Sequence, residues 1–120
     1  MTAHTMKNKH STDPKRIYMR AKKEMARQME EEQGYVSCER CGRSGCPLSF
    51  HHIVYRSEAP HHENLHDKRN LICLCSNWMG QEGCHEWFHE KKDRRDELVV
   101  ERELYELFPE QLRKFIPENA

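Results

Sequence analysis

Apolar positions along this chain come in short, separated runs. Tyr18, Ala21, Met25 and Met29 recur every three or four residues, a narrow helical stripe running from Pro14 to Gln33. Asp13 can cap that helix, Pro14 suits its first position, and Gly34 suits its stop. Leu48–Tyr55 (LSFHHIVY) is apolar and β-rich and predicts a strand. Residues 56–68 are polar, with a Pro and three His, and predict a loop. Asn70–Cys75 (NLICLC) predicts a second strand, residues 76–83 with two Gly an insertion, and Cys84 onward (CHEWFHEKK) the start of a helix. After a charged stretch ending at Glu97, the positions Leu98, Val99, Leu104, Leu107 and Phe108 form a helical apolar face. Pro109 is expected to begin a final short helix carrying Leu112, Phe115 and Ile116. Residues 1–12 are polar without periodicity and read as a flexible tail.

These runs are thin for 120 residues, of which 36% are hydrophobic. An ordinary globular domain has roughly 45–50%. A large apolar core is excluded, and no apolar run approaches the ~18 residues of a membrane span. The N-terminus is polar throughout, with no signal-peptide pattern, which points to a cytoplasmic protein. Something besides apolar burial must hold the fold.

Six Cys and nine His are the obvious means. Without a secretory signal, metal binding is a stronger reading than a disulfide framework. A structural zinc contributes on the order of 10–16 kcal/mol in finger peptides, comparable to the whole stability of a small domain. Cys38 and Cys41 stand two residues apart, as a zinc knuckle requires, and Cys75 with Cys84 can close a four-thiolate site. Cys46 and Cys73 are spare, and Cys73 is the rival to Cys75 because it lies on the same strand face. His51 and His52 are adjacent in the first strand, while His85 and His89 stand four apart on one face of the later helix. A closed structural site therefore sits in sequence beside an open histidine site.

Charge is balanced overall, with 20 Lys+Arg against 20 Asp+Glu, but it is unevenly spread. Residues 7–27 hold eight Lys/Arg against Asp13 and Glu24, a balance that suits a nucleic-acid backbone. Lys15, Arg16, Lys22 and Lys23 are the candidate contacts on the predicted helix, with Arg43 and Arg56 flanking the Cys/His region.

CERC at 38–41, HHI at 51–53, NLICLC at 70–75 and CHEWFH at 84–89, in that order, resemble the HNH endonuclease family. The resemblance covers about residues 35–92. It implies an α+β protein: a small zinc-stabilised ββα-metal module (35–92), a β-hairpin plus helix, between a basic N-terminal helix (13–34) and a C-terminal helical extension (93–120). It implies metal-dependent hydrolysis of DNA phosphodiester bonds, by nicking or double-strand cleavage. His52 would be the general base, and Asn70 would brace the loop that positions it. His51, His85 and His89 would hold one catalytic divalent ion (Mg²⁺, Mn²⁺, Ni²⁺ or Zn²⁺), beside a structural Zn²⁺ on Cys38, Cys41, Cys75 and Cys84. DNA is the implied partner, with no membrane. Small members are often carried by bacteriophages, where packaging or other DNA-processing proteins are further candidate partners.

Two departures stand out. The last cysteine pair usually has two intervening residues, and here it has eight, including Trp78 and Met79. Strict strand alternation also sends His51 and His52 to opposite faces, so both reach one phosphate only through a bend at the strand end. Asn64, which also precedes a Leu, is a rival to Asn70, but its distance from Cys75 is wrong. His61, His62 and His66 read as solvated loop histidines, and Trp87 and Phe88 as core. A non-catalytic zinc-stabilised module that binds nucleic acid is the alternative function. A structural zinc protein with an acidic, protein-binding C-terminus is a third.

Overall fold

The computed structural model describes residues 13–118. The expected flexible tail, 1–12, lies outside them. The described residues form an α+β arrangement of three helices and one two-stranded antiparallel sheet. None of these helices is long and apolar enough to cross a membrane.

Helix α1 (Pro14–Gln33) has the bounds its end signals predict. The Asp13 carboxylate accepts from the Lys15 N–H at 3.1 Å, which satisfies one of the free donors of the first turn. Gly34 closes the helix at φ 89°, with its N–H bonded to the Glu30 carbonyl, a left-handed conformation that glycine adopts without a Cβ penalty. Met25 buries the middle of the apolar stripe. Tyr18 ties the helix to the sheet by donating to the Phe50 carbonyl at 2.6 Å.

Strand β1 (Leu48–His52) pairs with β2 (Leu71–Cys75), with Leu48 opposite Cys75 and His52 opposite Leu71. β2 begins one residue later than predicted, β1 stops short of its apolar run at His52, and Asn70 is the reason. Its side-chain oxygen accepts the Val54 N–H at 2.7 Å and its amide nitrogen donates to the Val54 carbonyl at 3.1 Å. Val54 thereby bonds to a side chain instead of a strand. Asn70 itself belongs to a 3-10 turn, Lys68–Asn70, capped by the Asp67 carboxylate. All five residues of β2 are buried, while β1 is half-buried.

Helix α2 (Cys84–Glu90) follows the 76–83 segment, and α3 (Lys92–Glu101) follows α2 directly. The expected apolar helix through Phe108 does not continue past Glu101. Arg69 takes the carbonyls of Arg102 and Glu103 at 2.7 and 2.8 Å, and Glu103 turns to φ 52°. Arg102 reciprocates with bonds to the Arg69 and Leu71 carbonyls and to Glu39. Past this clamp the chain makes two 3-10 turns, Leu104–Glu106 and Arg113–Phe115. Pro109 therefore begins no α-helix. Leu104, Phe108 and Leu112 are nonetheless buried, because a turn every four residues returns each to the same side.

The core joins Ile53, Val54, Ile72, Leu74, Phe88, Val99, Leu104, Phe108 and Leu112. Phe88 falls inside it as expected, whereas Trp87 lies half-buried with Arg40 and Arg94 stacked on its ring at 3.7 and 4.6 Å. Arg95 is the buried charge, 3% exposed, paired with Glu58 and with Asp96 at 3.3 Å. Removing a buried partner strands the other charge and its desolvated surroundings. Arg95→Ala is expected to cost about 3 kcal/mol in urea unfolding, the low end of the usual range because Glu58 keeps 31% of its side chain in solvent.

Candidate metal centre

Four thiols from three segments converge. One ligand atom from each of Cys38, Cys41, Cys75 and Cys84 lies within 4.8 Å of all the others, and the cluster could hold a structural metal such as zinc. A tetrahedron built on Zn–S bonds of about 2.3 Å has S···S edges of about 3.8 Å. Sγ of Cys41 and Cys75 stand 3.7 Å apart, close to that edge and far beyond the ~2.05 Å of a disulfide.

Local backbone chemistry prepares the site. The Cys41 N–H points at Cys38 Sγ at 3.5 Å and the Cys84 N–H at Cys75 Sγ at 3.4 Å. The Arg40 guanidinium donates to Cys84 Sγ at 3.3 Å. Burial pushes the Cys38 thiol up, but backbone hydrogen bonds outweigh it and hold the group below its ordinary value. Burial pushes Cys75 and Cys84 up. Resistance to ionisation at Cys75 and Cys84 is what a cation relieves.

The long spacer between Cys75 and Cys84 proves to be an extended knuckle. Trp78 and Gln81 exchange backbone hydrogen bonds at 3.1 and 3.0 Å and fold the segment back on itself. The Asn77 side chain accepts the Gly83 N–H at 2.8 Å. A Cβ at Gly83 would lie 2.4 Å from the Ser76 carbonyl carbon and 2.6 Å from the Cys75 oxygen. Only glycine permits that approach, which returns Cys84 to Cys75.

Cys73 stays out of the four-thiol group. It is fully buried, and burial, then the Glu39 carboxylate, push it up to about 12. Glu39 also accepts the Cys73 N–H at 2.6 Å, which locks the Cys38–Cys41 knuckle to the free edge of β2.

Three histidines form a second group. One ring nitrogen from each of His51, His85 and His89 lies within 4.8 Å of the others, so they could also hold an ion. His51 and His85 stack at 4.0 Å between centroids, and His89 meets His85 edge-on at 4.5 Å. Ser49 Oγ lies 2.7 Å from His51 Nε2. Glu86 brings a carboxylate oxygen to 3.4 Å from His85 Nδ1. Its other oxygen is buried without a hydrogen-bond partner among the described residues. Burial, with His85 and His89 adding repulsion, pushes His51 down to about 4, and burial lowers His89 too. Neutral imidazoles are the ligating form.

His52 points elsewhere. Its Nε2 lies 2.9 Å from His66 Nδ1, and the Tyr18 ring packs on both histidines, 4.9 and 5.2 Å between centroids. Strand alternation thus separates His51 and His52 into two clusters. Burial, then His66 and Arg56, push His52 down to about 4. Asn70 is fully buried, and its remaining amide bond goes to the Leu65 carbonyl at 2.9 Å. It touches backbone alone and acts as a brace. Asn64 ties the same loop to the Leu107 carbonyl at 3.0 Å.

The other candidates scatter. Lys15, Arg16 and Lys23 are exposed on α1, and Lys22 lies over the Tyr18 ring at 4.3 Å. Arg56 is exposed with its charge felt at Tyr18, His52 and His66. Arg43 is half-buried on the knuckle, where its carbonyl accepts the Cys38 N–H. Of the loop histidines, His61 is exposed, while His62 packs on Phe108 and accepts the Asn64 N–H. His66 and Tyr18 are the site neighbours that sequence reasoning missed. No local spacing marks a pair 14 residues apart.

The thiol geometry separates the six cysteines in one measurement. Zinc that survives dialysis is expected in Cys73→Ser at the wild-type stoichiometry and to be lost from Cys84→Ser, with metal read by atomic emission on the purified proteins.

No protein-family model, no curated protein and no solved structure matches this chain.

Proposed function

We propose that this protein is a metal-dependent DNA endonuclease of the HNH type, built on a zinc-stabilised ββα-metal module. The carrying observation is the adjacency of two donor sets of different chemistry. A four-thiol group lies at one end of β2 and the start of α2, and a three-histidine group spans β1 and the same helix. A binding finger needs only the first. Cys84 and His85 are chain neighbours, so the thiol group also orients the helix that carries His85 and His89.

In this reading His51, His85 and His89 hold a divalent ion, and Glu86 keeps His85 oriented through Nδ1. The chemistry a divalent ion supplies there is neutralisation of charge on a phosphate oxygen and on the leaving 3′ oxygen. His52, on the opposite strand face from His51 but the last residue of β1, takes the proton from the attacking water at that strand end. Burial keeps it neutral at neutral pH, with a lone pair free to accept. Asn70 holds the loop beyond β1 in place. Helix α1 reaches the same neighbourhood through Tyr18, with Lys22 over its ring, and the exposed Lys15, Arg16 and Lys23 of the same helix are supplied to the DNA backbone. Salt-dependent and weakly sequence-selective binding follows, because backbone contacts carry no sequence information.

Supercoiled-plasmid conversion tests this reading. Wild type is expected to nick or linearise the plasmid with Mg²⁺, Mn²⁺ or Ni²⁺, and EDTA to stop it. His52→Ala is expected to keep its zinc and lose roughly 10²–10⁴-fold in rate, the usual worth of a general base. If both proteins retard DNA in a gel yet leave it intact under every metal, the chain is a non-catalytic zinc module that binds nucleic acid.

A further inference from the structure

The contact between His52 and His66 constrains which nitrogen of His52 can work. Nε2 of His52 and Nδ1 of His66 are 2.9 Å apart. Two ring nitrogens at that distance share one proton, so one donates and the other accepts. If His66 donated, its proton would occupy the Nε2 lone pair of His52. The neutral ring would then carry its own proton on Nδ1, and His52 would have no nitrogen free to accept one. If His52 donates from Nε2, its Nδ1 keeps a free lone pair.

The surroundings hold both rings in this relation. Tyr18 packs on each ring, and its hydroxyl is anchored on the Phe50 carbonyl, two residues before His52. His66 follows Leu65, whose carbonyl accepts from the buried Asn70 amide at 2.9 Å. The same amide fixes Val54, two residues after His52. One buried side chain therefore sets the distance between the two segments that carry the histidines.

We propose that His66 is a positioning residue for His52, accepting the Nε2–H of His52 at Nδ1 and leaving Nδ1 of His52 to take the proton from water. This rests on the endonuclease reading. The balance is simple. As the water oxygen bonds to phosphorus, its proton passes to His52 Nδ1, the bond from phosphorus to the 3′ oxygen breaks, and the 3′ oxygen leaves with the electron pair and takes a proton from solvent water. The imidazolium that forms keeps its Nε2–H on His66.

Two substitutions and one spectrum test the role. Asn at position 66 offers a side-chain oxygen near the place of imidazole Nδ1, whereas Leu offers no acceptor. His66→Leu is expected to lower kcat roughly 10- to 100-fold with KM and zinc content unchanged, the usual effect of losing an orienting partner. His66→Asn is expected to recover most of that rate. In the zinc-loaded full chain without DNA, ¹⁵N NMR is expected to show a coupling between His52 Nε2 and His66 Nδ1 across the hydrogen bond, with the proton on His52. Wild-type kcat in His66→Leu overturns the proposal, as does an Asn variant as slow as Leu, or a proton located on His66 Nδ1. Cleavage by wild type without the coupling overturns the positioning role alone. A coupling present in a wild type that cleaves no DNA under any metal overturns the endonuclease reading, and the role with it.

Discussion

Four cysteine sulfurs held within 4.8 Å of one another are the constraint on which the rest depends. They join the knuckle at 38–41, the end of β2 and the first turn of α2. Burial alone disfavours ionised thiols at Cys75 and Cys84, so the cluster by itself is an unfavourable place for charge. A tetrahedral cation reverses that sign, and the 3.7 Å spacing between Cys41 and Cys75 fits one. The apolar core fills the space between the sheet, α2, α3 and the C-terminal turns, and it leaves β1 only half-buried.

From that link the histidines acquire their arrangement. The backbone that delivers Cys84 also delivers His85, and one further helical turn brings His89 beside it. β1 runs antiparallel to β2, so His51 arrives opposite Ile72 and meets the helix pair. His52, on the other strand face, meets α1 and the returning loop instead. A single step along β1 thus separates a histidine group that could hold an ion from a second histidine pair, His52 with His66. The two lie near the same strand end because β1 stops there, where Asn70 diverts Val54 from the sheet.

The polar interior follows the same economy of a small domain. Asn70 makes three hydrogen bonds to backbone while fully buried. Arg95 stays buried against Glu58 and Asp96. Arg69 and Arg102 exchange bonds with each other's carbonyls and fasten the C-terminal turns to the start of β2. Where apolar area is scarce, satisfied polar contacts fix the relative positions of short elements, each at a modest net gain.

Local chemistry made much of this legible from sequence. The bounds of α1 follow from Asp13, Pro14 and Gly34, because capping and left-handed closure depend only on neighbouring residues. The two strands, the start of α2 and the grouping of cysteines follow from apolar runs and short spacings. The strand ends and the C-terminal turns were hidden, because Asn70 and Arg69 compete for backbone groups from positions far along the chain. The pairing of His52 with His66, and the contact of Tyr18 with both, were hidden for the same reason. Spacing reports what a helix or strand brings together within a few residues, while a loop's return path depends on which buried groups it satisfies. Sequence alone determined the donor chemistry and its local order. The tertiary structure decided which histidine meets which, because side-chain hydrogen bonds across the loop set that distance.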